Sequence, residues 1–249
     1  MPSSSASPRR PNLLVTLTIF LAGTGPVLQA EILPDLRSSV IVAFESEYVF
    51  RGEKRAGESI QPSLEMGYPV GPGDLFFGVW ASRELRSDPF EEVDFYAGYQ
   101  LPLSPIFYLN GGFTYYWFPG HDYFTVAQEE ASIGVFADLP LSPSAVLFYN
   151  FELEQILLEI SIYENFWFTR KFGFEGGLVL GGGYAGNGLA EDGGDPEEGA
   201  IGYAVTYGNL IYSFTEDVRG SLGIRYSGRQ DDGFYDFLYW GASISIWFE

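Results

Sequence analysis

Acidic side chains occur at every second position in several stretches that are otherwise apolar. Around Ser46, the residues Glu45, Glu47 and Arg51 are an even number of positions apart, so an extended chain places them on one side. Carboxylates close to a guanidinium can form ion pairs or line a passage for charged solutes. Charged residues on the polar side of each alternating stretch form a set of candidate lining residues: Glu45, Glu47, Arg51, Glu65, Glu92, Asp94, Glu130, Glu152, Glu154, Glu159, Glu175, Arg219 and Arg225.

Arg51 stands out because the chain has only 13 Lys and Arg residues and this one directly follows Tyr-Val-Phe. Two interpretations follow from its place beside carboxylates. It can neutralise them through forked hydrogen bonds and so hold a wall together. Alternatively, it can belong to a constriction that orients a solute by a transverse field. The sequence leaves both interpretations open.

Two further loops carry residue types that are common in catalytic and metal sites. His121 is the only histidine and precedes Asp122, and some hydrolases use a histidine and an aspartate together with a serine. Adjacent loop residues do not generally point at each other and no serine is marked out by position, so we expect a histidine at an aqueous rim and no enzyme. A second, acidic loop is either solvated or binds Ca²⁺ weakly through Asp192, Asp195, Glu197 and Glu198.

Extended segments must position these side chains, and the hydropathy pattern predicts them. From residue 38 onward, apolar residues alternate with polar or small ones at a period of two. The usual segment length of about 10–15 residues exceeds the ~5–6 of soluble strands and suits the ~9–11 that cross a bilayer. About twelve segments are predicted, at 39–51, 59–70, 73–84, 91–101, 105–118, 125–139, 144–154, 156–168, 172–184, 200–213, 217–228 and 236–248.

The links between these segments alternate between long, mostly charged loops and short turns, which is typical of bacterial outer-membrane barrels. Since a carboxylate facing hydrocarbon is costly, the acidic side of each segment must face the interior and the apolar side must face lipid. The predicted fold is therefore all-β: a closed antiparallel transmembrane β-barrel of about 12 strands in an up-and-down meander. A two-layer soluble sandwich is the alternative fold.

The remaining composition narrows the class of protein. Residues 1–30 combine Arg9 and Arg10, a short apolar run and Ala30, which predicts a cleaved signal peptide and leaves 31–249 as the barrel. The formal net charge of −20 makes nucleic acid an improbable partner. The absence of Cys excludes disulfides and thiolate chemistry, and no cofactor is expected.

Five stretches occur in a consistent order between roughly residues 40 and 170. They are SEYVFRG at 46–52, QPSLE at 61–65, FFGVWAS at 76–82, EVDFYAGY at 92–99 and YYWFPG at 115–120. Together these stretches resemble the TorF-type porin family of bacterial outer-membrane β-barrel proteins. The resemblance implies an outer-membrane barrel of porin type and adds little about the solute.

The functional prediction is a porin-like channel for passive diffusion of small solutes, with outer-membrane lipid, lipopolysaccharide and the barrel-assembly machinery as the other partners. Carboxylates outnumber bases on the predicted wall, so cations or neutral solutes should be preferred. Twelve strands enclose a narrow lumen. Small residues are expected to leave space in it, at Gly98, Gly112, Gly134, Gly223 and Gly241. The alternative is a non-conducting structural or surface-binding barrel, with an outer-membrane hydrolase as a third possibility.

Overall fold

A computed structural model describes residues 35–86, 92–119, 127–185, 199–230 and 234–248 of the chain. Side-chain surroundings are described for these ranges except residues 185, 199–201, 230 and 234–235. The predicted signal peptide, His121 with Asp122, and the predicted Ca²⁺ loop with Asp192, Asp195, Glu197 and Glu198 lie outside the described residues.

Fourteen strands account for most of the described residues. Twelve of them form one closed sheet, and the other two form a separate hairpin. The strands are β1 Arg37–Glu45, β2 Tyr48–Phe50, β3 Glu53–Ala56, β4 Ser59–Val70, β5 Gly73–Glu84, β6 Glu92–Pro102, β7 Phe107–Trp117, β8 Ala127–Ala137, β9 Ser144–Asn150, β10 Gln155–Trp167, β11 Phe172–Ala185, β12 Gly199–Ser213, β13 Val218–Gln230 and β14 Phe234–Phe248.

The closed sheet is an antiparallel up-and-down barrel. Each barrel strand pairs with the next one along the chain, with β4 following β1, and the barrel closes where β1 pairs with β14. At this closure Val40 lies opposite Ile246 on one side of β1 and opposite Leu64 on the other. The predicted fold class, a closed antiparallel barrel of twelve strands, is confirmed. Within the described ranges, no helix is long and apolar enough to cross a membrane.

Side chains of opposite polarity cover the two faces of the barrel wall. On the outer face, Leu238, Ile224 and Leu210 keep 74%, 63% and 62% of their surface exposed. The carboxylates of Glu45 and Glu130 lie on the inner face, where they are almost completely buried. Since successive side chains of a strand point to opposite faces, the period-two pattern of the sequence is what separates them.

Two predicted strands end earlier than the alternation suggests. The first ends at Glu45 instead of residue 51, and residues 48–50 form β2 of the separate hairpin. The seventh predicted segment ends at Asn150, because the Asn150 side-chain oxygen accepts the backbone N–H of Leu153 at 3.0 Å and so favours a turn over strand pairing. Glu152 and Glu154 therefore lie in the turn at 151–154 and not on the strand wall where the sequence predicted them.

The two ends of the barrel differ in their connections. We call the end with the longer links the hairpin end; its links are 46–58, 85–91, 118–126, 151–154, 186–198 and 231–233. We call the other the turn end; its links are 71–72, 103–106, 138–143, 168–171 and 214–217. In three turn-end links the second residue has a hydroxyl that accepts the backbone N–H groups two and three residues further on: Ser104, Thr169 and Thr215.

Candidate functional site: a hairpin across the lumen

The link between β1 and β4 folds as a hairpin that does not join the barrel sheet. Strands β2 and β3 pair with each other, and Arg51 and Gly52 form the two-residue turn between them. Both turn residues have positive φ, 49° for Arg51 and 81° for Gly52. Tight two-residue hairpins favour this conformation, and glycine adopts it without the steric cost that a Cβ brings. The Arg-Gly pair of the sequence is thus the tip of a hairpin.

The tip reaches the wall opposite its own root. The hairpin leaves the barrel between the neighbouring strands β1 and β4, whereas Glu130 and Glu159 belong to β8 and β10, about half-way round the strand order. Arg51 donates two parallel hydrogen bonds to Glu130, from Nη1 to Oε2 at 2.7 Å and from Nη2 to Oε1 at 2.9 Å. Its Nε lies 3.4 Å from Oε1 of Glu159. The hairpin therefore crosses the lumen.

Two tyrosines complete the carboxylate contacts at the tip. Tyr116 donates a hydrogen bond to Glu130 at 2.9 Å, and Tyr203 donates one to Glu159. The Arg51 guanidinium also lies 4.6 Å from the ring centroid of Phe148 and is 15% exposed, against 3% for Glu130. Burial by itself lowers the pKa of Arg51, but the hydrogen bonds and negative charge of Glu130 raise it above its ordinary value. Arg51 is therefore a permanent cation in a buried, paired site.

The backbone of the tip packs directly against the barrel wall. A Cβ added to Gly52 would lie 2.8 Å from the Cβ atoms of both Tyr203 and Arg229. Arg229 also binds the hairpin, because its Nη1 donates to Oε2 of Glu53 at 3.0 Å. Glycine is required at position 52 for two reasons, its positive φ and the absence of space for a side chain.

The root of the hairpin is held by a buried tyrosine. Tyr48 donates a hydrogen bond to Glu92 at 2.7 Å, and its ring lies 5.4 Å from that of Trp80. Burial, followed by the charge of Glu92, raises the pKa of Tyr48 well above its ordinary value, so the hydroxyl stays neutral and donates. The backbone N–H of Gly57 donates to Glu84 at 2.9 Å. Both root contacts are made to strands of the barrel, β6 and β5.

Most of the predicted lining residues do face inward from barrel strands. At the end of β1, Arg225 forms an ion pair with Glu45 at 3.1 Å and donates to Asn209, whose amide donates to Glu175. The strand registers place the following predicted residues on the inner face: Glu45, Glu65, Glu92, Asp94, Glu130, Glu159, Glu175, Arg219 and Arg225.

Four predicted lining residues occupy other places. Glu47 and Arg51 belong to the 46–58 link, where Glu47 forms an ion pair with Lys54 at 3.2 Å. Glu152 and Glu154 lie in the turn after β9. The physical reason is the same for both pairs. The strand ends before these residues, so an odd or even position in the sequence no longer decides to which face the side chain points.

Sequence reasoning missed the aromatic partners of the carboxylates. The predicted strand 39–51 has Glu45 and Glu47 on its inner face and would therefore place Tyr48 on its outer face, but Tyr48 is 6% exposed and lies inside the barrel. Tyr116, Tyr203 and Arg229 have the inward parity of their strands, so the alternation alone could have identified them. No local signal identifies Tyr48, because its position depends on where β1 ends.

Neighbouring side chains cover two of the inward glycines. At Gly98 an added Cβ would lie 2.3 Å from the Phe76 ring, and at Gly241 it would lie 2.3 Å from the carboxylate of Glu45. At Gly112 the nearest atom, Oγ of Ser132, would lie 3.0 Å away. That these glycines widen a passage stays a prediction. In the described part of the chain, no group of three or more His, Cys, Asp or Glu is arranged to hold a metal ion.

Comparison with known proteins gives one match to a family. A family model described as "Bacterial protein of unknown function (Gcw_chp)" matches residues 34–158, half of the chain. The chain belongs to this family. The matched part of this Gcw_chp protein begins just before β1 and ends within β10, so it contains the whole hairpin and the carboxylate of Glu130. No curated protein matches it.

Solved structures with similarity to this Gcw_chp protein include three bacterial proteins. LpxR from Salmonella typhimurium has 9% identity and a TM-score of 0.48, covering 84% of this chain and 99% of its own. The outer membrane channel DcaP of Acinetobacter baumannii has 7% identity and a TM-score of 0.34, covering 86% and 96%. The siderophore receptor PirA from Pseudomonas aeruginosa has 11% identity and a TM-score of 0.29, covering 81% and 38%.

Proposed function

We propose that this Gcw_chp-family protein is an outer-membrane channel for passive diffusion of small solutes, in which the 46–58 hairpin forms the constriction. The observation that carries the proposal is a closed barrel with an apolar outer face, a polar inner face and a hairpin held across its lumen by Arg51 and Glu130. A closed barrel satisfies every backbone amide, which is what a β-structure needs to span a membrane. The inner face then provides the route for polar solutes.

The charge of the wall favours cations and neutral solutes. Inward carboxylates outnumber inward guanidinium groups among the described residues, and several of those guanidinium groups are already neutralised by ion pairs. A wall with a negative potential concentrates cations and repels anions. We infer a preference for cations over anions of similar size.

Planar bilayer recordings test the channel and its constriction together. Single-channel conductance and the reversal potential in a KCl gradient are measured for the wild type, for Arg51→Ala and for the control Lys54→Ala, whose side chain is 41% exposed on the same hairpin. The expected result is a cation-selective conductance that rises several-fold only in Arg51→Ala. An anion-selective wild type would contradict the charge argument, and an unchanged conductance in Arg51→Ala with reduced thermal stability would leave Arg51 a purely structural role.

The location and partners are part of the same proposal. Residues 1–30 act as a signal peptide that is removed after Ala30, and the barrel-assembly machinery inserts residues 31–249 among outer-membrane lipid and lipopolysaccharide. Membership of the TorF-type porins is the finer family assignment that we propose within this class. Membrane fractionation and N-terminal sequencing of the mature protein test both the location and the cleavage. Recovery of the protein in buffer without detergent would contradict a membrane location.

A non-conducting structural or surface-binding barrel is the second candidate, and one observation favours it. At the hairpin end the inward side chains of Ser59, Ser82 and Ser227 have no exposed surface. If the hairpin never moves, this packing blocks the lumen. Liposome swelling with small sugars separates the candidates, since a blocked barrel gives no swelling in the wild type and swelling appears only when residues 47–57 are replaced by a short Gly-Ser link.

We infer that the protein is not an enzyme. The argument is from the sequence, where His121 and Asp122 are adjacent in a loop and no serine partner is marked out. Lipase and protease assays on the purified wild type and His121→Ala test this inference. An activity that disappears in His121→Ala would reverse it.

A further inference from the structure

Arg219 lies close to two tryptophans on the inner face at the turn end. It is the second residue of β13, opposite Ser245 of β14, and faces the lumen. Its guanidinium carbon lies 4.8 Å from the ring centroid of Trp247 and 5.4 Å from that of Trp167. The guanidinium of Arg219 thus makes cation–π contacts with two indole rings.

The hydrogen-bond donors of Arg219 have no acceptor within the described ranges. No ion pair or hydrogen bond to its side chain is formed there, and its Nε is buried without a partner. The carboxylate of Glu175 is already used, because Oε1 accepts from Asn209 at 2.9 Å and Oε2 accepts from Tyr163 at 3.3 Å. Arg219 differs in this from the turn-end residue Arg37, which forms an ion pair with Asp74.

A guanidinium that makes cation–π contacts with indoles can still bind an anion through its N–H groups. Aromatic rings contact the faces of the group, whereas its five N–H donors point outward in its plane. A planar carboxylate or a phosphate can accept two of these donors at once. The two indoles also limit the hydration of the cation and fix its orientation, so less freedom is lost on binding. We propose that Arg219, Trp167 and Trp247 form a binding site for the oxyanion group of a small solute, a carboxylate or a phosphate.

The position of the site identifies the source of the oxyanion. Arg219 is on the inner face of the wall, so a lipid headgroup outside the barrel is separated from it by the sheet. The site is open to water, since Trp167 is 39% exposed and the neighbouring inward residue Asn165 is exposed as well. A solute that enters from the turn end reaches Arg219 before it reaches the acidic hairpin end, where anions are repelled.

Tryptophan fluorescence measures binding at this site directly. The full chain in detergent micelles is titrated with sodium phosphate and, separately, with sodium acetate, at an ionic strength kept constant with NaCl. The expected result is a saturable fluorescence change for either probe, with association at least tenfold weaker in Arg219→Gln. The matched control is Arg37→Gln, which removes the same charge from the same end and should bind like the wild type, because Arg37 is already paired with Asp74.

Two further variants test the geometry. Arg219→Lys keeps the charge but loses the fork and most of the stacking, so association should fall nearly as far as in Arg219→Gln. Trp247→Phe keeps a weaker aromatic face and should bind several-fold more weakly, with a smaller fluorescence change. A heat-modifiable band on an electrophoresis gel checks that each variant is a folded barrel.

Three outcomes would overturn the site. They are no saturable change with either probe in the wild type, equal association in Arg219→Gln, or a loss in Arg37→Gln as large as in Arg219→Gln. The measurement needs no conductance, so it is independent of the channel function. If the protein binds phosphate but does not conduct, the binding site is supported and the channel function is contradicted.

Discussion

The hairpin end and the turn end of the lumen carry the same residue types in different environments. At the hairpin end Glu130 and Glu92 are 3% and 4% exposed and accept hydrogen bonds from Arg51 and Tyr48. At the turn end the ion pair of Arg37 and Asp74 has side chains that are 55% and 40% exposed, and Arg219 contacts indoles instead of an acid. The alternation of polar and apolar residues is alike at both ends. The difference therefore arises from the hairpin, which fills one end and leaves the other open.

This difference decides how much each charge contributes to stability and function. An exposed ion pair in water contributes little, whereas removing one partner of a buried pair leaves an uncompensated charge and is strongly destabilising. We therefore expect the hairpin end to determine stability and the limiting width of the lumen. The turn end should tolerate substitutions and remain available to solutes.

The largest expected contrast is between the two arginine ion pairs. Arg51→Ala leaves the buried Glu130 and the partly buried Glu159 without their cation and should lower the free energy of unfolding by about 3–5 kcal/mol. Arg37→Ala removes an exposed partner and should lower it by about 0–1 kcal/mol. Urea titrations of both variants refolded in lipid vesicles measure the difference. Equal losses would mean that the hairpin does not desolvate the tip.

Two glycines with positive φ give the next contrast. Gly52→Ala combines backbone strain with a Cβ that meets the Cβ atoms of Tyr203 and Arg229 at 2.8 Å, and we expect a loss of about 2–4 kcal/mol. Gly71→Ala at the turn end has a φ of 61° but only the Tyr99 hydroxyl at 4.0 Å, so the strain alone costs about 1–2 kcal/mol. The same unfolding titrations separate packing from strain. A loss in Gly71→Ala that equals that in Gly52→Ala would remove the argument from close packing at the tip.

A smaller contrast concerns two tyrosine hydroxyls. Tyr48→Phe removes a buried hydrogen bond to the charged Glu92 and should cost about 1.5–3 kcal/mol. Tyr99→Phe removes an exposed hydrogen bond of the same length, 2.7 Å, to the carbonyl of Val70 and should cost about 0.5–1 kcal/mol. Thermal denaturation of the two variants is the measurement. If Tyr99→Phe lowers the stability more than Tyr48→Phe does, burial of the Tyr48 hydroxyl at the hairpin root does not strengthen its hydrogen bond.

The smallest effect is the salt dependence of the turn-end pair. A double-mutant cycle on Arg37 and Asp74 should give a coupling of about 0.5 kcal/mol at low salt and close to zero at 1 M, since the Debye length is then about 3 Å. The coupling of Arg51 with Glu130 should persist at 1 M salt, because solvent ions do not reach it. Loss of both couplings at high salt would show that the two ends are equally wet.

Most barrel strands could be predicted from the sequence because each is defined by its own alternation. The segments at 59–70 and 73–84 were predicted with the bounds that β4 and β5 have in the structure. The first strand was extended to residue 51, because the alternation from Val40 to Phe50 continues across Ser46 and gives no local sign of the break. The turn after Asn150 was missed for a related reason, since its cause is one side-chain hydrogen bond.

The candidate site was predictable only in part. Glu130 and Glu159 were identified as inward residues from the parity of their strands. The partner of Glu130 was not, because Arg51 is 79 residues away in the chain and reaches it from the tip of a hairpin. The contact of Arg219 with Trp167 was equally inaccessible, since β13 and β10 are neighbours neither in the chain nor in the sheet. Trp247, the other aromatic contact of Arg219, lies on the adjacent strand β14.

The alternating sequence predicts a barrel wall with an acidic inner face and an apolar outer face, because the side chains of a strand point to opposite faces at successive residues. Which of those acids are buried and hydrogen-bonded depends on the folded chain. Burial depends on the volume that other segments occupy once the barrel has closed. The hairpin from Glu47 to Gly57 fills that volume at one end of the lumen and not at the other.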